Sequence, residues 1–211
     1  MAQTKLITLK EEWQGAWQHR GFRNKVTVGM LVVIFITCIF PYYFQAVESR
    51  TGVLLNDPVL RIIPPHNVSV AIFIFIWAVS LLSILRAVQN PSMFLTFIWG
   101  WIFLTAMRAI TIYLVPLEPP VGLIGLVDPL SNAFYGDKFV TRDLFFSGHT
   151  STVFLLSLCI PGKLDKKLIL VATIFVGILL LVQHVHYTLD VVVAPLGGWA
   201  AWLLARKVVK E

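Results

Sequence analysis

Apolar stretches recur along the chain at 26–47, 68–88, 92–115, 145–160, 168–186 and 189–205. Crossing a bilayer takes about 20 apolar residues in a helix, with shorter pieces tolerated where their ends are buried in protein. The pattern therefore predicts an all-α integral membrane protein with six transmembrane helices. The fourth stretch is short and opens with Ser147, His149, Thr150, Ser151 and Thr152, so its first turns are expected to line a polar cavity. Almost nothing separates the fifth stretch from the sixth, which predicts a tight helical hairpin. Ahead of the first stretch, Leu6, Leu9, Trp13 and Trp17 fall at helical spacing among Lys5, Lys10, Arg20, Arg23 and Lys25. That arrangement reads as an interfacial amphipathic helix on the membrane surface. The chain thus divides into a cytoplasmic interfacial segment at 1–25 and a six-span membrane domain at 26–206. No signal peptide is expected, because the first long apolar run starts at Val26 with no small-residue cleavage site after it.

Composition supports the membrane reading. Of 211 residues, 57% are apolar and 13% charged, against roughly 25% charged in soluble domains; the mean hydropathy is +0.80. A soluble domain, a disordered chain, a disulfide-stapled scaffold and a coiled coil are excluded on these grounds. Cys38 and Cys159 both sit in apolar runs, where they bridge only if their helices touch. The net charge of +6 changes meaning once it is placed on the spans. With the N-terminus in the cytoplasm, the inner loops collect Lys5, Lys10, Arg20, Arg23, Lys25, Arg86, Lys163, Lys166, Lys167, Arg206, Lys207 and Lys210. The outer loops keep only Arg50, Arg61, Lys138 and Arg142, while Glu48, Asp57, Glu118, Asp128, Asp137 and Asp143 also fall outside. The positive-inside rule then gives an N-in, C-in topology, and the basic balance reports topology rather than nucleic-acid binding. One long connection, 116–144, carries Pro119, Pro120, Gly122, Gly125, Pro129 and Gly136 and leads into the polar start of the fourth span. Loops of this length are usually functional or disordered.

Ionisable groups within membrane spans are costly and mark function by default. Arg108 lies seven residues before Val115, about 10 Å below the outer surface at roughly 1.5 Å per residue. His149 enters the fourth span from that side, and His184, His186 and Asp190 stand where spans five and six meet. All converge on the outer leaflet. His186 and Asp190 are four apart and share a face if the chain is helical there. A carboxylate on one imidazole nitrogen fixes the tautomer and frees the other to attack. His149 can donate a proton to a leaving oxygen, given an ordinary histidine value near ~6.5. Arg108 offers a planar fork matched to phosphate oxygens. Together these groups point to phosphoryl transfer through a phosphohistidine. Plainer roles compete: helix-to-helix hydrogen bonding by the histidines, a buried ion pair of Arg108 with Asp190, or metal ligation by His184 and His186. On a helix those two histidines would point roughly 200° apart, which suits one ion poorly. Trp99 and Trp101 read as lipid-facing or packing groups.

The strings themselves carry a resemblance. Ser147-Gly148-His149-Thr150 preceded by Asp143, and His184-Val185-His186-Tyr187-Thr188-Leu189-Asp190-Val191-Val192-Val193-Ala194, resemble two signature motifs of the sphingomyelin synthase family. That family is a branch of the lipid phosphate phosphatase (type 2 phosphatidic acid phosphatase) superfamily. Arg108-Ala109-Ile110-Thr111-Ile112-Tyr113, with Leu117 and Pro120, is similar to its third-span motif, and Asp57-Pro58 is loosely similar to its first. The resemblance implies His186 as nucleophile, Asp190 as its orienting carboxylate and His149 as proton carrier. Arg108, Ser147 and Gly148 would hold the phosphate, with Asp143, His184, Tyr187 and Tyr113 around them. It further implies a catalytic domain at 26–206 that uses no metal or organic cofactor. Its partners would be membrane lipids, a phospholipid donor and a ceramide or diacylglycerol acceptor. The active site would face the exoplasmic side. The superfamily's Ser-Arg pair before the last histidine is absent, with Leu180 and Leu181 in that region, a departure shared with sphingomyelin synthases. The short loop before Ser147 and the end at Glu211 resemble a prokaryotic relative, hence a plasma or inner membrane location. Two rival functions use the same scaffold: a lipid phosphate phosphatase with water as acceptor, and a non-catalytic lipid-binding or transport protein.

Overall fold

The computed structural model describes residues 2–126 and 140–210, with side chains from Leu9 onward. Asp128, Pro129, Gly136, Asp137 and Lys138, and the side chains of Lys5 and Leu6, lie outside the described residues. Seven helices are described: α1 (Ala2–Gln18), α2 (Arg20–Glu48), α3 (Ser69–Gln89), α4 (Pro91–Leu114), α5 (Gly148–Cys159), α6 (Lys163–Val182) and α7 (Thr188–Lys210). No strand occurs among the described residues; Val53 and Leu117 form an isolated parallel bridge between two loops.

Local chemistry explains several helix ends. Asn90 is extended, and its side-chain oxygen accepts from Met93 N at 2.8 Å while Pro91 takes the first helical position of α4. Both choices satisfy or remove orphan N–H groups. At the far end of α4, the Arg50 guanidinium donates to the carbonyls of Ile112 and Tyr113 at 3.0 and 2.9 Å, supplying donors that the last turn lacks. Ile160 is the extended C-cap of α5, and Pro161 and Gly162 follow it, which stops the helix after twelve residues. Arg86, near the end of α3, pairs with Asp165 in the first turn of α6 at 2.6 Å.

Among the described residues, four helices are long and apolar enough to cross a membrane: α2, α3, α4 and α7. The stretch expected as a fourth span forms only the twelve residues of α5, about 18 Å against an apolar core of roughly 30 Å. The fifth stretch forms a twenty-residue helix that carries Lys163, Asp165, Lys166 and Lys167 at its start. Exposed apolar side chains on α2 and α3, including Leu31, Phe35, Val70 and Ile74, suit hydrocarbon rather than water.

Two expectations need correction. The fifth stretch ends at Val182 rather than His186, and Gln183 to Tyr187 form a turn before α7. Nor do α6 and α7 pair as a hairpin: they touch little, and both pack on α5, while α4 packs most extensively on α7. The core consequently gathers around α5, with Leu155, Ile169, Val176, Ala194 and Ala201 fully buried. Close approach of α7 to the start of α5 depends on Gly197, because a Cβ there would collide with the Phe146 ring. The N-terminal helix is covered by protein as well as exposed: Trp13 meets Phe22 and Phe94 edge-on at 6.3 and 5.5 Å. Its indole N–H donates to Val88 O at 2.7 Å. Trp99 likewise packs inward, donating to Lys25 O at 3.2 Å. Cys38 and Cys159 are free thiols.

Candidate active site

The site assembles where the end of α4 meets the starts of α5 and α7. From one face of α4, Arg108 and Thr111 reach consecutive carbonyls of the segment entering α5: Arg108 Nε donates to Phe146 O at 3.0 Å and Thr111 Oγ1 to Phe145 O at 2.9 Å. These bonds fix Ser147, Gly148 and His149 beside the arginine. Ser147 caps α5, its hydroxyl oxygen accepting from Thr150 N. Its own N–H donates to the main-chain carbonyl of Asp190 at 3.0 Å. A continuous path of bonds therefore runs from Arg108 through the Phe146–Ser147 peptide to Asp190.

Arg108 pairs with Asp143 through Nη2 at 2.5 Å. The alternative pairing with Asp190 is not formed, because Asp190 is held by the turn before α7. The guanidinium lies against Gly148: a Cβ at that position would stand 2.6 Å from Arg108 Cζ. Glycine at this point lets the fork lie over the first turn of α5, whose N-terminal end carries partial positive charge. A planar donor group beside a helix N-terminus is suited to an anion with several oxygens.

Asp190 is completely buried and His186 is 3% exposed. His186 stands outside the helix, so its meeting with Asp190 does not follow from a shared helical face. Instead Asp190 Oδ2, in the first turn of α7, folds back to accept from Tyr187 N at 3.0 Å and lies 3.4 Å from His186 Nδ1. That separation exceeds a hydrogen bond of about 2.7–3.2 Å. His186 Nδ1 and Asp190 Oδ1 are both buried without a hydrogen-bond partner. Catalytic hydrogen bonds are often long in unliganded sites and tighten once substrate binds. His149 occupies the second position of α5 and is half-buried.

The remaining expected residues separate into scaffold and surface. His184 is turned to other partners: it adopts φ 56°, a left-handed conformation uncommon outside glycine though histidine is among the side chains that take it most readily. Its Nδ1 and Nε2 each lie 2.8 Å from a carbonyl oxygen, those of Val121 and Ile63. With both nitrogens so engaged, the ring clamps two loops instead of serving a metal or a phosphate. Tyr187 is a second clamp, donating its hydroxyl to Glu118 O at 2.8 Å and accepting from Leu55 N at 3.2 Å. Burial pushes its phenol upward, which preserves the donating O–H. Tyr113 does not join the cluster: the residue is 65% exposed and its ring lies under the Arg50 guanidinium at 5.3 Å. Among the described residues, no three His, Cys, Asp or Glu side chains gather to hold a metal ion.

Three supporting residues escaped the sequence reading of the site. Asp57 accepts from Thr188 N at 2.7 Å and from Thr188 Oγ1 at 3.0 Å, and also from Val59 and Leu60 N–H. It thereby caps α7 from a distant loop. Burial pushes its carboxyl up, but the four donors outweigh that and the net direction is down. Gln183 is fully buried, donating to Ser69 Oγ and the carbonyls of Ile124 and Gly125 and accepting from Val68 N. Arg142, one residue before Asp143, binds Glu48 O and Glu118. Glu118 also accepts from Gly52 N–H, which with Arg142 holds its carboxyl below the usual range. Only the Asp57-Pro58 pair gave any signal in sequence.

Both histidine segments, held by these contacts, fall in one contiguous part of the chain. Residues 142–207 match the family described as PAP2 superfamily C-terminal. The match spans Asp143, Ser147, Gly148, His149, His186 and Asp190 and leaves Arg108 outside it. It supports placement in the PAP2 superfamily, whose members are generally phosphatases or phosphotransferases. A comparison with curated proteins finds no match. Long apolar helices and a PAP2-like C-terminal region together mark a membrane protein.

Proposed function

We propose that this protein is a membrane-embedded phospholipid headgroup phosphotransferase that works through a phosphohistidine. The observation that carries the reading is the bonded path from Arg108 to Asp190, which sets a phosphate-shaped donor fork and a carboxylate-backed histidine on one rigid frame. With a proton on Nδ1 facing Asp190, the Nε2 lone pair of His186 attacks phosphorus. The bond from phosphorus to the diacylglycerol oxygen breaks, and His149 supplies the proton that this oxygen takes. In the second half, the hydroxyl oxygen of a lipid alcohol such as ceramide or diacylglycerol attacks the phosphohistidine. His149 accepts the hydroxyl proton and the P–N bond breaks. Arg108, Ser147 and Gly148 hold the phosphate oxygens, and Asp143 yields its place on the arginine when phosphate arrives. The residues need no metal or organic cofactor for these steps.

In this reading the chain spans the membrane six times, N-in and C-in, with α5 as a half-length element and the active site on the exoplasmic side. The distribution of lysine and arginine supports that orientation. Tyr187, His184, Asp57 and Gln183 serve it as positioning residues. Water as acceptor would make the same centre a lipid phosphatase; the half-buried setting of His149 and the burial of His186 favour exclusion of water.

The test uses purified protein with fluorescent ceramide, fluorescent phosphatidic acid and a mixed phospholipid donor pool, comparing wild type with His186→Ala. Transfer predicts a ceramide bearing a phospho-headgroup, absent in the variant. His186-dependent release of inorganic phosphate without labelled acceptor assigns the phosphatase, and turnover of no lipid returns the protein to a non-catalytic lipid-binding role.

A further inference from the structure

At the end of the bundle remote from Arg108, helices α1, α3, α4 and α5 enclose a cavity of about 470 Å³, within the ~300–1,000 Å³ of small-molecule sites. Met93 on its wall is fifteen residues from Arg108 on the same helix, about 22 Å along the axis. The walls are apolar, formed by Phe94, Phe97 and Leu156 among others, and no charged side chain lines them. Trp13 closes one side from α1, held by its bond to Val88 O.

One wall residue is chemically unfinished. Ser83 is 4% exposed, and its Oγ lacks a hydrogen-bond partner. Other helical hydroxyls bond a carbonyl three or four residues back, as Ser151 and Ser157 or Thr37, Thr96 and Thr173 do. A buried hydroxyl left unpaired is costly; Ser83 Oγ is covered as the side chain stands, so a turn about χ1 that brings it to a polar group held in the cavity is favoured. That group is uncharged, because no wall residue offers a counter-charge and a bare phosphate or ammonium would be desolvated without a partner.

We propose that this cavity binds one neutral membrane lipid, with its hydroxyl, ester or amide at Ser83 and its hydrocarbon chain running toward α5. The polar group belongs at the α1 end because Ser83 stands six residues before the end of α3 at Gln89 and fourteen after its start at Ser69. These separations are about 9 and 21 Å. The chain then extends toward Leu156 and Thr152, the latter one turn beyond His149 on α5. Diacylglycerol, ceramide and long-chain alcohols have this chemistry; phosphatidic acid does not. The site is separate from the phosphoryl-transfer centre and does not rest on that reading.

The experiment uses the full chain carrying His186→Ala, so that no turnover is required, in phosphatidylcholine nanodiscs. Two photoactivatable diacylglycerols, one with a diazirine at the chain end and one with it beside the glycerol, are crosslinked and the labelled peptides mapped. The proposal expects chain-end label at Thr152 and Leu156, glycerol-side label at Ser83, and loss of both in Ala87→Phe. Unlabelled diacylglycerol competes, and Ser83→Ala weakens that competition. Should Ala87→Phe not elute as a monodisperse species, Ser80→Leu fills the same wall. Equal labelling by a phosphatidic acid probe, labelling indifferent to the filling substitution, or the reversed order of chain end and glycerol would each overturn it. The reversed order would assign the cavity to a chain descending from the active site.

Discussion

Replacing Arg108 with lysine keeps the positive charge and removes the fork, so it separates two contributions of one side chain. In the wild type, Nε donates to Phe146 O and Nη2 pairs with Asp143. A lysine ammonium can hold Asp143 but leaves the Phe146 carbonyl without its donor. An unsatisfied buried acceptor costs about 1–3 kcal/mol, so Arg108→Lys is expected to lower the unfolding midpoint modestly. Activity should fall further. Loss of one preorganised donor to a developing anion typically costs about 10²–10³ in kcat, and the planar two-point grip on phosphate is lost at the same step. The assay is initial-rate kinetics across donor concentration in nanodiscs, beside thermal unfolding followed by tryptophan fluorescence. A stable variant with full kcat/KM would refute the argument and assign Arg108 to structure. Equal loss of stability and rate in Arg108→Lys and Thr111→Val would point the same way, since the Thr111 hydroxyl donates to the carbonyls of Phe145 and Arg108.

Further outcomes follow from the same geometry. Asp190→Asn preserves an acceptor for Tyr187 N–H but replaces the charge beside His186, so kcat should drop by roughly 10²–10⁴ with little change in fold; steady-state kinetics and circular dichroism check this, and wild-type turnover would sink it. Gly148→Ala places a methyl on the Arg108 guanidinium, so the arginine should swing aside, with a modest loss of stability like that of Arg108→Lys and a larger loss of rate; an active Gly148→Ala enzyme would show that the fork need not lie there. Asp57 is held below its ordinary value by the N–H groups and hydroxyl it accepts from. Its stabilisation is therefore complete above an unfolded value near ~3.9 and lost as pH falls through the lower folded value. The gap in unfolding midpoint between wild type and Asp57→Asn should be constant near neutrality and close on acidification below about pH 4; a gap that widens there would contradict the sign.

What could be read in advance depended on how local its cause was. Apolar runs and the cost of ionisable groups inside them located the candidate residues, while the helix ends at Pro91, at Ser147 and before the Pro161-Gly162 pair came from the structure, although their cause is local. The end of α6 was not legible, because Gln183 to Tyr187 holds no glycine or proline to stop the helix. Its turn is imposed from elsewhere, by loops that bond Gln183, His184 and Tyr187 and by Asp57 at Thr188. The same long-range contacts turn His184 away from the site and recruit Asp57 to it. Tyr113 failed as a neighbour of Arg108 because five residues along a helix carry a side chain round to another face. The empty partnership of Ser83 is equally invisible in sequence, since a helical serine ordinarily satisfies itself.

The central claim is a covalent phosphoryl intermediate on His186, and trapping it is the most direct measurement. A phosphodiester donor with a nitrophenol leaving group needs no acid for departure, so in His149→Ala the first step should proceed while attack by the acceptor alcohol slows. Rapid quench at neutral to alkaline pH, proteolysis and mass spectrometry should then find the transferred headgroup phosphate on the peptide bearing His186, and none in the double variant with His186→Ala. Nitrophenol release with no adduct, or an adduct on another residue, would contradict the account.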